Sequence, residues 1–218
     1  MDLFWKALLE RANWEIYDLH FESWWQIFAH DMSRYFRPAD RISKNINNLV
    51  AYCHWEILDV WCGSCNYFPL LKNKWNVIWI DNSPYVIEAA KVSWQTDCIV
   101  ADIFTYKTQK KFDTITLFEN NIWMWWSLEN TEKLLSKLKS ILNNNWKILT
   151  LLSWRARWNE YLLTELIPIY RWERWDVIKW INLTPKSLKN ICEKVWLKMK
   201  ILKSNRYYYL IEMTHIGI

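Results

Sequence analysis

Residues 57–66 read Ile57-Leu58-Asp59-Val60-Trp61-Cys62-Gly63-Ser64-Cys65-Asn66. A short apolar run holding an acid near its end, followed at once by small and polar residues around a glycine, describes a strand that stops at a tight turn. In open α/β sheets ligands bind beyond the carboxyl ends of the strands, where the first such turn delivers a helix N-terminus to a nucleotide-like group. These ten residues therefore hold both the fold and the site.

Outward from this turn, the runs 77–80, 98–100, 114–118 and 147–152 are short and apolar, with helical segments at 84–91 and 128–142 between them. Strands alternating with helices predict repeated βαβ units, hence an α/β fold: a doubly wound, mostly parallel seven-stranded sheet flanked by helices. The tail breaks the alternation. Two β-rich runs, 197–202 and 207–213, joined by Ser204-Asn205-Arg206, predict a C-terminal antiparallel hairpin. Before residue 53, Leu3, Ala7, Leu8 and then Ile42, Ile46, Leu49, Val50 recur at helical spacing. The expected division is a helical lead or lid, 1–52, and a main domain, 53–218, with an insertion at about 154–182.

Of the 218 residues 52% are hydrophobic and 23% charged, which excludes disorder and collagen. The net charge of +5 is dispersed, and the densest basic stretch, 107–111, is interrupted. No nucleic-acid arm stands out, although phosphate-backbone binding is not excluded. Neither a signal-peptide core nor a long uncharged apolar window occurs, so the chain is expected to be cytoplasmic and without a membrane partner. Five cysteines, an odd number, argue for reduced thiols over a disulfide framework.

Two resemblances meet at the turn. Trp61-Cys62-Gly63-Ser64-Cys65 is similar to the active-site motif of thioredoxin-like oxidoreductases, with Cys62 as nucleophile and Cys65 as resolving thiol. With Trp61 standing at a glycine position, 57–65 instead resembles the first motif of class I S-adenosylmethionine (SAM) dependent methyltransferases, whose turn carries glycines at the places of residues 61, 63 and 65. Downstream residues separate them. Asp81 ends the next strand 22 positions after Asp59, near the spacing of about 20 at which an acid reaches a ribose. Ala101-Asp102-Ile103 ends the third strand and resembles the segment that meets adenine. Successive acids at strand ends have no place in a thioredoxin, and no Pro turn faces the cysteines.

The methyltransferase resemblance extends over 56–152, through Phe112-Asp113-Thr114-Ile115, the post-strand segment Phe118-Glu119-Asn120-Asn121-Ile122-Trp123, and Asn143-Asn144-Asn145-Trp146. It implies SAM as cofactor, bound by Asp59, Trp61, Cys62, Gly63, Asp81, Asn82, Asp102, Ile103 and Phe118. Glu119, Asn120 and Asn121, beside the methyl position the resemblance implies, are candidates for lining the acceptor site; turn and capping chemistry is their other reading. The acceptor is expected to be a small molecule, since no separate RNA-binding module is present.

Composition holds one more signal. The chain has 2 Gly and 19 Trp, where ordinary usage of about 7% Gly would give about 15 glycines. Trp61, Trp75, Trp79, Trp123, Trp125, Trp126, Trp146 and Trp196 fall where the resemblance places a turn, a helix end or a close backbone contact, positions suited to glycine alone. A gene using UGA for glycine, read as though UGA were Trp, would produce this pattern. The other reading is a non-catalytic, Trp-rich module that stacks sugars or bases. Trp24, Trp25 and Trp180 are expected to be genuine, the first two in a helical setting and the third in a strand.

The remaining candidates carry less. His20, His30, His54 and His215 lack metal-ligand spacing, so packing or surface roles are expected and no metal. Cys62 and Cys65 lack a second pair for zinc. Tyr17-Asp18 resembles the aromatic that closes over SAM, though core packing serves equally. Arg155, Arg157, Arg171 and Arg174 in the insertion would clamp an acidic acceptor or form a solvated face.

Overall fold

The computed structural model describes residues 2–15, 17–24, 26–38, 41–72, 75–93, 95, 97–118, 121–122, 127–153 and 160–216. The chain opens with α1 (Asp2–Ala12), the strands β1 (Leu19–Ser23) and β2 (Gln26–His30), a 3₁₀ turn (Met32–Phe36) and α2 (Lys44–Val50). The alternating part follows: β3 (Glu56–Val60), α3 (Phe68–Leu71), β4 (Asn76–Asp81), α4 (Pro84–Val92), β5 (Cys98–Val100), β6 (Phe112–Leu117), α5 (Leu128–Ile141) and β7 (Leu142–Ser153). Then come β8 (Tyr161–Tyr170), β9 (Glu173–Arg174), β10 (Ile178–Leu183), α6 (Pro185–Lys194), β11 (Leu197–Ser204) and β12 (Tyr208–His215).

Seven strands form one sheet in the order β11-β12-β7-β6-β3-β4-β5. The pairs from β7 to β5 are parallel, and β12 runs antiparallel to both β7 and β11. This is the sheet expected from the alternation, with the terminal hairpin at one edge. Helices on both faces bury β3 and β6 almost completely, as parallel strands require. The helices start where the sequence supplies caps: Ser83, Ser127 and Thr184 each accept an N–H from three residues on. Pro84 and Pro185 follow in the first turn, where a missing N–H costs nothing.

The strand order reverses at β3, since β4 lies on one side and β6 on the other. A crevice opens at such a switch point, and the turn after Val60 sits in it.

The lead departs from the helical expectation. Its residues 19–30 form an antiparallel hairpin, Phe21 facing Phe28 across the pair, and this hairpin joins β8 and β10 in a second sheet ordered β10-β8-β1-β2, with β9 on β8. The reason is visible in the burial of Leu19 and Phe21, which alternate with more exposed neighbours, the period of a strand rather than a helix. Trp24 accordingly lies exposed in the hairpin turn, not on a helix; Trp25 is outside the described residues. A hydrophobic cluster of Phe4, Ala7, Leu8, Phe21, Val86, Ala89 and Leu166 joins α1, α4 and this sheet. Each fully buried Leu or Phe there contributes about 1.5–3 kcal/mol. Among the described residues no helix is long and apolar enough to cross a membrane.

Candidate functional site

The turn after β3 adopts the conformation its glycine pattern predicts. Trp61, Gly63 and Cys65 all have positive φ, +57°, +58° and +55°, so every second residue sits in the left-handed region that favours glycine. A Cβ built on Gly63 would meet nothing within 4 Å, so space is open above its backbone. The Gly63 amide donates to Asp81 Oδ2 at 3.2 Å, and the Ser83 amide donates to Asp81 Oδ1 at 3.0 Å. Asp81 is buried, and this desolvation, only partly offset by those amides, lifts its carboxyl from 3.8 to about 6. Asp59 is also buried: Thr116 donates to its Oδ1 at 2.7 Å, while Oδ2 has no partner. Burial holds its carboxyl well above the usual range.

The other predicted cofactor residues surround this pair less tightly. Asn82 is exposed, Ile103 is buried, and Asp102 is half-buried and turned onto its own loop, its Oδ1 accepting from the Phe104 amide at 3.0 Å. Phe118 is buried with its ring 4.6 Å from that of Tyr67. Asn121 donates to the Trp61 carbonyl at 2.9 Å; Glu119 and Asn120 lie outside the described residues. The Trp61 side chain is buried in the same apolar cluster as Ile80, Ile103 and Ile122, between the strand ends that carry the acids.

Cys98, from β5, joins Cys62 and Cys65 so that the three sulfurs lie within 4.8 Å of one another. Three thiolates at this spacing could share a soft metal ion. The sulfurs of Cys65 and Cys98 are brought into contact, but their Cα atoms stand 7.6 Å apart, wider than a disulfide spans without backbone movement, so no cross-link is assigned to this pair. The fold brings strand ends 33 residues apart into contact, which spacing along the chain does not reveal. Cys62 stays a thiol, and burial beside the carboxyls of Asp81 and Asp59 pushes its pKa up. A thioredoxin-like nucleophile needs the opposite shift.

A cavity of about 640 Å³ separates the turn from the second sheet. Trp61, Cys62, Gly63, Ser64 and Tyr67 line one side; Phe21, Ser23, Gln26, Phe28 and His30 line the other, with Thr164, Trp180 and Asn182 from β8 and β10. The Ser64 hydroxyl donates to the Tyr35 carbonyl, and Asn66 Nδ2 donates to the Arg34 carbonyl at 3.5 Å, tying the turn to the 3₁₀ segment after β2. Sequence reasoning missed this wall, although Phe21/Ser23 and Gln26/Phe28/His30 are spaced by two and so share one face. Trp180 is in a strand, as expected. Tyr17 is exposed, its ring 4.1 Å beneath the Arg171 guanidinium, and does not line the cavity. Arg171 pairs with Glu10 and Glu15, and Arg174 with Glu22. Both are thus committed to internal ion pairs, against the clamp reading; Arg155 and Arg157 lie outside the described residues.

Residues 57–145 match the methyltransferase domain family. A SAM-dependent methyltransferase from Bacteroides fragilis, solved with S-adenosyl-L-homocysteine, superposes with a TM-score of 0.85 at 22% identity, covering 97% of this chain and 94% of that one. The fold is that of a SAM-dependent methyltransferase. A methyltransferase of the same description from Clostridium acetobutylicum ATCC 824 gives 0.64 at 13% identity over 82% and 94% of the two chains. SAM-bound CalS10, an amino pentose methyltransferase from Micromonospora echinaspora, gives 0.56 at 10% over 76% and 87%. The second sheet belongs to this methyltransferase fold too, since the first match spans nearly the whole chain. No curated protein matches the sequence.

Proposed function

We propose that this chain is an S-adenosylmethionine-dependent methyltransferase acting on a small-molecule acceptor in the cytoplasm. The observation that carries the reading is the turn itself: alternate left-handed residues at the sheet's switch point, with the Gly63 amide on the Asp81 carboxylate. Bound there, SAM would supply a methyl group already activated as a sulfonium. The residues proposed to hold it are Asp81 for the ribose hydroxyls, Asp102 and Ile103 for adenine, and the 61–63 backbone for the amino acid end, with Asp59, Cys62, Asn82 and Phe118 around them. The open space over Gly63 fits such a ligand. The rest of the work is orientation and exclusion of water, which the second sheet provides by roofing the cavity. Asn121, held on the Trp61 carbonyl, is proposed to border the acceptor.

One side chain does not fit. The Trp61 indole is buried among the residues proposed to meet adenine. We read this as a matter of coding: the natural protein carries glycine at Trp61 and at other tryptophans, through UGA codons. Among the described residues, five of the eight non-glycine residues with positive φ are tryptophan, namely Trp14, Trp55, Trp61, Trp172 and Trp196. Indole has no affinity for that conformation, whereas glycine adopts it freely. Trp196 stands just past α6, the helix-terminating position. Trp172 is the second residue of a two-residue hairpin turn between Tyr170 and Glu173, both turn residues at positive φ, a turn that selects glycine. Trp14, Trp55 and Trp172 extend the set read from sequence. Within that set, Trp79 is a buried strand residue paired with Asp59, and Trp75 and Trp146 are not left-handed. Trp123, Trp125 and Trp126 lie outside the described residues.

The test is twofold. Titration calorimetry should show SAM binding by the chain carrying Trp61→Gly and none by the chain as written; no heat from either removes the methyltransferase reading. Codons settle the other half, since UGG at positions 61, 172 and 196 would defeat the recoding.

A further inference from the structure

The cavity wall contributed by β1 and β2 is chemically specific. Phe21 and Phe28 are cross-strand partners with rings 6.0 Å apart, and Phe4 of α1 lies 6.1 Å from Phe21 in a stacked arrangement. His30 stands in the middle of this group, 5.2 Å from the Phe21 ring and 5.7 Å from Phe4. Its Nε2 lies 3.1 Å from the Tyr35 hydroxyl, and Tyr35 belongs to the segment whose carbonyl is fastened to Ser64 in the turn. Nδ1 has no hydrogen-bond partner among the described residues. An imidazole is thus mounted in an aromatic slot, on the same cavity as Gly63 and Ser64. Trp5 and Trp180 back this group, with rings 4.5 Å from Phe4 and 5.7 Å from Phe21, but the phenylalanines and His30 themselves are unaffected by how UGA is read.

We infer that His30 takes the proton from the methyl acceptor, and that the acceptor is a planar phenol held against Phe28, with Phe4 and Phe21 buried behind it as the support of that wall. This rests on the methyltransferase reading above. Phenols suit the slot because flat rings stack on aromatic walls. Arg34 also lines the cavity; its charge favours developing phenolate and opposes an ammonium acceptor. Burial and Arg34 hold the imidazole at about 4, with Asp31 opposing them, so it is unprotonated at neutral pH.

In the tautomer whose Nε2–H donates to the Tyr35 oxygen, the Nδ1 lone pair is the proton's destination. The phenol oxygen attacks the methyl carbon. The O–C bond forms as the C–S bond breaks, with its electron pair left on sulfur, and the O–H proton passes to Nδ1. An aryl methyl ether, a neutral thioether and an imidazolium result, and one positive charge is present before and after. A weak base suffices, because an O–H becomes strongly acidic as its oxygen gains the methyl group.

The experiment uses the full chain, with and without Trp61→Gly, and two probes: phenol, and 4-nitrophenol at a pH where it is already ionised. Methyl label from SAM should enter both. His30→Ala should slow phenol methylation by about 10²–10⁴-fold, the usual contribution of a general base, slow 4-nitrophenol far less, and be rescued by added imidazole. Calorimetry should show S-adenosylhomocysteine affinity unchanged in His30→Ala, and severalfold weaker phenol binding to the S-adenosylhomocysteine complex in Phe28→Ala. Equal losses for both phenols, or phenol binding indifferent to Phe28→Ala, overturns the assignment. Label entering neither phenol while S-adenosylhomocysteine binds overturns it and leaves the methyltransferase reading standing. Absence of S-adenosylhomocysteine binding by either chain overturns both.

Discussion

The Gly63 amide and the Asp81 carboxylate are joined at 3.2 Å across the crest of the sheet, linking the turn after β3 to the end of β4. The carboxylate that faces the proposed ribose site is therefore the one that fixes the turn. Because burial raises its pKa to about 6, the folded chain between about pH 4 and 6 holds a proton that the unfolded chain has released. This group's stabilising contribution is thus full below pH 4 and is lost as pH rises through 6. Ribose hydroxyls need the ionised form as acceptor, so cofactor affinity runs the other way. For the chain carrying Trp61→Gly, SAM should bind about tenfold more weakly at pH 5 than above pH 7. Calorimetry across this range checks it, and Asp81→Asn should flatten the profile.

Trp61→Gly exchanges one cost for another. It relieves about 1–2 kcal/mol of left-handed strain, and it removes a buried indole whose space must be refilled. The unliganded variant should accordingly melt no higher than the parent, while saturating SAM adds about 3 kcal/mol at a hundredfold excess over Kd. Differential scanning fluorimetry should show a ligand-dependent shift in the variant alone. An equal shift in the parent would contradict the blocking role of the indole.

Trp196→Gly and Trp172→Gly should each stabilise the chain. Both side chains are largely exposed, 69% and 96%, so little packing is lost, and each backbone is left-handed. A gain of about 1 kcal/mol apiece is expected, read as a higher urea midpoint. A lower midpoint for either would show that its indole holds a contact worth more than the strain.

Thr116→Val should cost about 1–3 kcal/mol, because it strips the buried Asp59 carboxyl of its hydrogen bond. Asp59→Asn should cost less. That carboxyl is held toward its neutral form by burial, and an amide of the same shape can still accept from Thr116. Urea denaturation of the two variants orders them, and the reverse order would mean that Asp59 is charged in the folded protein.

The main sheet was legible because its strands announce themselves one by one. Runs such as Ile57-Leu58 and Val77-Ile78-Trp79-Ile80 are continuous and apolar, and Ser83-Pro84 and Ser127 mark the helix starts between them. The turn was legible for a subtler reason, since the left-handed conformation at 61, 63 and 65 belongs to a pattern of positions and is kept with Trp61 and Cys65 at two of them. The roof was not legible. Its strands β1, β2, β8 and β10 are short or mixed in polarity, and the two hairpins they form are joined only through β1 on β8, a pairing more than 130 residues apart, as Leu19 against Tyr170 shows. His30 was passed over because a lone histidine carries no spacing signal, and only the pairing of β1 with β2 sets it among phenylalanines. The Cys65–Cys98 contact likewise depends on β4 lying beside both β3 and β5.

The roof over the cavity is sewn from two distant stretches of the polypeptide, 19–30 and 161–183. Exchanging acceptor preference with a relative therefore cannot be done by grafting a single cassette; both stretches must travel together, or their shared backbone ladder is broken. A ribosome must also have made residue 170 before the amino-terminal hairpin finds its partner strand, so this wall closes only after β3 to β7 have been synthesised.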